Sequence, residues 1–169
     1  MHQISITAGG KMKVIKNFFE DGIEFKATSI EERRIYLRDF IDHCVSTERK
    51  RRFFGFIDSG KRINSFSDSL DHFGRYLDLS RAVNISRNTN VDSIFLKFGI
   101  NKSSCVFVFS NLHGLELGVV VKIGDVLGRV FKIGNGVIIS SIDLINPFFM
   151  YLGEEMCEQY LWVFNHKKT

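Results

Sequence analysis

Apolar and polar residues alternate with a period of two in several segments of the chain, which indicates strands with one buried face. Ile23, Phe25 and Ala27 alternate with polar residues directly after an Asp-Gly pair, a signature of a tight hairpin with a strand over residues 12–19. The pattern also predicts strands at residues 52–57 and 79–86. From Val91 onward, apolar segments separated by short turns predict strands at residues 94–98, 105–109, 115–123, 126–133 and 137–141.

Other segments carry apolar residues at the spacing of a helix. Ser29 and Glu32 form a capping box ahead of a stripe that ends at Cys44. A second helix is predicted from Ser65 or Ser67, with apolar residues at helical intervals up to residue 77. A third begins at residues 146–147, where proline would take the first helical position, although residues 159–164 also fit a strand.

Short turns between consecutive strands favour an antiparallel meander, because parallel strands need long crossover connections. The sequence therefore predicts an α+β, antiparallel β-rich domain: a curved sheet or two packed sheets with two or three helices. One domain covers residues 1–169, with residues 1–11 as a flexible arm or edge strand and residues 165–169 as a frayed tail.

Composition places the chain among ordinary globular proteins. Of its 169 residues, 44% are hydrophobic and 25% are charged. The first residues lack the features of a signal peptide, and the apolar runs are too short for a membrane helix. The three cysteines are far apart in the sequence, which favours reduced thiols over a disulfide framework. We therefore expect a cytoplasmic protein with no membrane partner, no metal and no cofactor.

Phenylalanine is unusually abundant, with 17 residues against 4 tyrosines and one tryptophan. Its ring has no polar tip, so these side chains belong in a core or on an apolar binding surface.

The strongest local signal for function is a run of cations followed by aromatic residues. The net charge of the chain is +4, and residues 46–62, with six cations and two carboxylates, carry +4 by themselves, so the rest of the chain sums to about zero. Such a segment suits a surface that neutralises phosphates and stacks bases. The alternative is a solvated loop before a core strand with the Phe residues buried, which is what a charge run usually is. The predicted partner-binding residues are Arg49, Lys50, Arg51, Arg52, Phe53, Phe54, Lys61 and Arg62.

Other groups suggest chemistry only weakly. Asp68 and His72 would share a face of the second predicted helix, at a spacing that suits a metal or an oriented imidazole. His113 lies in a predicted turn, and Glu154, Glu155 and Glu158 would lie on the last predicted helix. None of these groups completes a catalytic or metal-binding set within the sequence, and the glycine-rich stretches lack the spacing of a phosphate-binding loop.

Three functions remain open. The first is a non-enzymatic protein-binding module, in its most specific form an immunity protein that neutralises a cognate bacterial toxin by direct binding. The second is a nucleic-acid-binding protein that uses the segment from Arg49 to Arg52. The third is an enzyme whose site is assembled from scattered residues such as His72, His113 and the acidic helix.

Overall fold

The computed structural model describes residues 19, 22–60, 62–112, 115, 118–133, 135–143 and 145–165. Among them, seven strands form one antiparallel sheet in the order β1-β4-β3-β5-β6-β7-β2. The strands are β1 Phe25–Ala27, β2 Val83–Ser86, β3 Cys105–Ser110, β4 Val119–Lys122, β5 Val137–Ser141, β6 Phe148–Glu155 and β7 Glu158–Asn165. Residues 12–18 of the strand predicted at 12–19, residues 20–21 of its turn, the arm and residues 166–169 of the tail lie outside the described residues.

The described part of the chain also holds five α-helices and two 3₁₀ segments. The helices are α1 Ile30–Cys44, α2 Thr47–Asp58, α3 Ile63–Asp68, α4 Val91–Phe98 and α5 Ile123–Ile133, and the 3₁₀ segments are Ser69–Tyr76 and Leu79–Arg81. The predicted α+β class with an antiparallel sheet is confirmed. The predicted helix number is too low, and one sheet forms rather than two.

Side chains alternate along each strand, so the sheet has two faces, one covered by a mainly aliphatic cluster and the other by a cluster richer in aromatic rings. On β3, Val106 and Val108 belong to a cluster that α4 and α5 cover. Phe107 and Phe109 point the other way, into a cluster that α1, α2, α3 and the segment Ser69–Tyr76 cover. Helices therefore pack on both faces, and both faces are buried.

The abundance of phenylalanine is explained by this core. Twelve phenylalanines are buried, and the other four that the structure describes are half-buried. No phenylalanine among the described residues is exposed, so the rings mainly build the core.

The predicted start of α1 is confirmed. The Ser29 N–H donates to Glu32 Oε2 at 2.8 Å, and the Glu32 N–H donates to Ser29 Oγ at 3.1 Å. These reciprocal bonds satisfy two donors at the helix start that have no partner within the helix.

The strand predicted at 52–57 is wrong, because this segment lies in α2. Phe53 and Ile57 are buried, while Gly55 between them is exposed. Residues four apart share a helix face, whereas a strand would also have turned residue 55 toward the core.

The strands predicted at 94–98 and 126–133 are wrong as well, because both segments are helical. Asn90 caps α4 by accepting a bond from the Asp92 N–H at 2.8 Å, and Gly99 ends the helix with φ 63°. Buried residues of α5 recur at helical intervals: Ile123, Val126, Leu127, Val130 and Phe131. Because α5 carries the chain from β4 past β3 to β5, the sheet is not a simple meander.

Several boundaries also differ from the prediction. The helix predicted from residues 146–147 is wrong, since Phe148–Glu155 is β6, but the alternative strand at 159–164 is confirmed within β7. The second predicted helix is divided into α3 and the 3₁₀ segment Ser69–Tyr76. Within the strands predicted at 79–86 and 115–123, the described residues form strand at Val83–Ser86 and Val119–Lys122. The strands at 105–109 and 137–141 are confirmed.

Candidate functional site

Helix α2 carries most of the predicted partner-binding residues and is anchored by its apolar side. The Phe53 side chain is only 1% exposed. Its ring meets those of Phe73 and Tyr76 edge-on, with centroids 4.9 and 5.1 Å apart. Phe53 thus belongs to the core and does not reach a partner. The opposite side of the helix is directed toward solvent.

The solvent-facing side of α2 is basic. Arg49, Arg51 and Arg52 are all exposed, and we call them the α2 surface. None of the three forms an ion pair with a carboxylate of the described residues, even though Glu48 lies on the same helix. Their charge is therefore not neutralised within this part of the molecule.

Two ion pairs join the border of the α2 surface to α1. The Lys50 Nζ lies 3.3 Å from Asp42 Oδ1 and also donates to the Asp42 backbone oxygen. Arg38 Nη1 donates to both carboxylate oxygens of Asp58, at 2.7 and 2.8 Å. Lys50 therefore serves the packing of α1 against α2, unlike the three arginines. Among the other predicted residues, Arg62 is exposed, and Lys61 lies outside the described residues.

The aromatic rings next to this surface lie beneath arginines. The Arg38 guanidinium lies 4.6 Å from the centre of the half-buried Phe54 ring, and that of Arg52 lies 5.5 Å from the centre of Phe56. Such contacts are attractive because a ring face is electronegative. A base could stack on either ring face only by displacing the arginine above it.

The basic character continues beyond α2 onto the neighbouring 3₁₀ segment. The exposed Arg75 places its guanidinium 5.1 Å from the centre of the Tyr76 ring, which itself packs against Phe53. Arg38 and Arg75 were not found from the sequence. Arg38 pairs with Asp58 of another helix, so local sequence carries no signal for it, and Arg75 joins the basic surface only because its neighbour Tyr76 packs against Phe53 of α2.

The candidates for an enzymatic site are only partly brought together. The predicted helical pairing of Asp68 with His72 does not form, because α3 ends at Asp68 and His72 has non-helical angles (φ −120°, ψ 25°). His72 instead lines a pocket of about 240 Å³ together with Arg75, Glu154 and Trp162. Both His72 and Glu154 are exposed, so the pocket leaves them in water and supplies no desolvation for acid–base chemistry.

The remaining acidic candidates lie on a hairpin and not on a helix. Glu155 and Glu158 are opposite each other in the β6–β7 pair, and Glu154 is opposite Gln159. His113 lies outside the described residues. The described residues contain no group of three or more side chains arranged to hold a metal ion.

The cysteines divide by burial. Cys44 is in the core as predicted, and burial raises the pKa of its thiol well above the ordinary value. Cys105 and Cys157 are exposed and form no disulfide. None of the helices in the described part of the chain is long and apolar enough to cross a membrane.

The site with the clearest chemistry is therefore the α2 surface, an outward array of arginine side chains on a rigid helix. Each guanidinium offers a planar set of donors that matches a carboxylate or a phosphate. No protein-family model matches the chain, and comparisons with curated proteins and with solved structures give no match either.

Proposed function

We propose that the chain is a non-enzymatic protein-binding module, and that the α2 surface docks on an acidic surface of its partner. The observation that carries this proposal is the set of three exposed arginines without a carboxylate partner among the described residues. Arginine is enriched in protein interfaces, where a carboxylate opposite the guanidinium offsets the cost of desolvation.

A protein partner fits the surface better than a nucleic acid does. The rings of Phe54 and Phe56 have arginines over their faces, so stacking of bases has no open platform there. Glu48 is exposed beside Arg49, whereas the exposed Asp42 and Asp58 pair with Lys50 and Arg38. A phosphate backbone presents negative charge alone, whereas a protein surface can place carboxylates opposite the arginines and a cation opposite Glu48.

The more specific hypothesis from the sequence is that the partner is a bacterial toxin. In that case the partner has a toxic or enzymatic activity when it is alone and loses this activity in the complex. Adding increasing amounts of the chain to the purified partner should then titrate the activity to zero at a fixed ratio. An activity that persists in the complex would limit the proposal to binding.

The experiment is an affinity capture from a nuclease-treated lysate of the native source, with two charge-matched variants. The test variant carries Arg49→Gln, Arg51→Gln and Arg52→Gln. The control variant carries Lys122→Gln, Arg129→Gln and Lys132→Gln, which are exposed residues on or next to α5, across the sheet. All six replaced side chains are exposed, and glutamine keeps good helix propensity at the five helical positions, so both variants should fold. Circular dichroism with thermal melting verifies this.

The wild-type chain and the control variant should retain one protein in stoichiometric amount, and the test variant should lose it. Equal capture by the test variant would contradict the proposal. Recovery that consists of nucleic acid and disappears after nuclease treatment would replace the proposal with the nucleic-acid alternative.

A further inference from the structure

A groove lies at the start of β2, the outermost strand at one edge of the sheet. Its volume is about 730 Å³, about three times that of the pocket at His72. Three segments line it: residues 80–83, which lead into β2, residues 96–99 at the end of α4, and residues 163–165 at the end of β7.

The groove borders a strand edge that faces no other strand of the described residues. Strand β2 pairs on one side with residues 160–163 of β7 and is the last strand in the sheet order. Its backbone N–H and C=O groups alternate in direction, so part of them point away from β7. Such an edge can pair with an extended peptide, and its side-chain groove can select the peptide sequence.

The side chains of the groove combine apolar and basic groups. Leu96 is 85% exposed, Phe98 is half-buried, and Phe164 is a buried lining residue. Arg81 and Lys97 are both exposed on the lining and form no ion pair with a carboxylate of the described residues. This charge complements a ligand that carries carboxylates beside an apolar side chain.

We propose that this groove binds an extended acidic peptide segment of another protein, which adds as a strand to β2. In an extended segment, side chains two residues apart point the same way. One set of alternating side chains then places an apolar residue against Leu96 and a carboxylate against Arg81 or Lys97, whose ammonium lies 5.7 Å from the centre of the Phe98 ring. The lining of this groove shares no residue with the α2 surface, and its test does not require the partner proposed for that surface.

The experiment selects peptides from a display library of random nine-residue sequences on the full chain. Enriched peptides should carry at least two carboxylates and an apolar residue in alternation. One enriched peptide is then synthesised with a fluorescent label, and its affinity is measured by anisotropy. The double variant Arg81→Gln/Lys97→Gln should bind it at least about tenfold more weakly, the factor that corresponds to one charge-assisted hydrogen bond.

Two further variants separate this proposal from the previous one. Both the α2 variant and a Lys122→Gln/Lys132→Gln control should bind the labelled peptide as tightly as the wild-type chain. Amide hydrogen exchange should slow within Val83–Ser86 on peptide binding. Failure to enrich any peptide, unchanged affinity in the Arg81/Lys97 variant, loss of affinity in the α2 variant, or unchanged exchange in β2 would each overturn the proposal.

Discussion

Replacing Tyr151 by phenylalanine tests the contact that holds the 3₁₀ segment Ser69–Tyr76 to the sheet. Tyr151 lies on β6 and is only 1% exposed. Its hydroxyl donates to the Leu70 carbonyl and accepts from the Phe73 N–H at 3.1 Å. Its ring also stacks on Trp162, with centroids 5.8 Å apart. The substitution keeps the ring and removes only the two hydrogen bonds.

The expected loss of stability arises because the Leu70 carbonyl and the Phe73 N–H stay buried without the Tyr151 hydroxyl as their partner. An unsatisfied buried polar group costs roughly 1–3 kcal/mol, and part of that cost is relieved when the structure relaxes. We therefore expect Tyr151→Phe to lower the free energy of unfolding by about 2 kcal/mol. Urea unfolding followed by circular dichroism should show a lower midpoint with an unchanged slope.

Tyr160→Phe on the neighbouring strand is the matched control. The Tyr160 side chain is half-buried, and its hydroxyl bonds to the exposed Glu158 carboxylate. Its loss should stay below about 0.5 kcal/mol, as is usual for substitutions near the surface. If Tyr151→Phe cost no more than Tyr160→Phe, water would reach the backbone groups, and the reasoning about buried hydrogen bonds would be refuted.

The same residue gives a prediction at alkaline pH. Burial raises the pKa of Tyr151 well above the ordinary tyrosine value of about 10, so the folded state holds the proton more tightly than the unfolded state. The stability that this provides is complete below about pH 10 and is lost as the pH rises above it. Unfolding of the wild-type chain should therefore depend more steeply on pH above about pH 10 than that of Tyr151→Phe. An equal pH dependence of unfolding in the wild-type chain and in Tyr151→Phe would contradict the raised pKa of Tyr151.

The remaining predictions concern backbone conformation and thiol access. At the β6–β7 turn, Met156 and Cys157 have φ 50° and 66°, angles that asparagine and glycine adopt more easily than other residues. The double variant Met156→Asn/Cys157→Gly should therefore stabilise the fold by about 1 kcal/mol. A lower urea midpoint would contradict this. Gly118 has φ 76° and a Cβ there would lie 2.4 Å from the Phe107 ring, so Gly118→Ala should destabilise by at least about 2 kcal/mol. Gly128→Ala on α5, where a Cβ meets nothing within 4 Å, should stabilise the fold by roughly 0.5–1 kcal/mol. Unfolding curves that show Gly128→Ala to be less stable than Gly118→Ala would contradict the backbone geometry at these two glycines. A thiol reagent should modify Cys105 and Cys157 quickly in the native protein but Cys44 only after unfolding, and rapid labelling of all three would show that Cys44 is not buried.

Local signals were sufficient for part of the fold. The Ser29–Glu32 capping box located α1, and short runs of alternating or continuous apolar residues located β3 and β5. For α4 and α5 the sequence also contained the helical signals, namely a capping Asn90, a terminal Gly99 and apolar spacing from Ile123 to Phe131. Those signals were outweighed by the β-branched and aromatic composition of both segments, which is a weaker guide than periodicity.

The candidate site was predictable only where it depends on neighbours in sequence. The sequence shows the cationic run at residues 49–52, but it does not show which of these side chains stay free of carboxylates and which one pairs with α1. The burial of Phe53, the Lys50–Asp42 pair and the Arg38–Asp58 pair all follow from the packing of α1 against α2 and against the sheet. The same holds for the groove at β2, which joins three segments that are distant in sequence.

The most direct test of the account is the affinity of the captured partner for the α2 variant, measured at low and at high ionic strength. The Arg49→Gln/Arg51→Gln/Arg52→Gln variant should bind at least about tenfold more weakly than the wild-type chain at low ionic strength. The difference should narrow as salt screens the charges. The Lys122/Arg129/Lys132 control should match the wild type at both ionic strengths. Equal affinities of the wild-type chain and the α2 variant would contradict the assignment of binding to this helix.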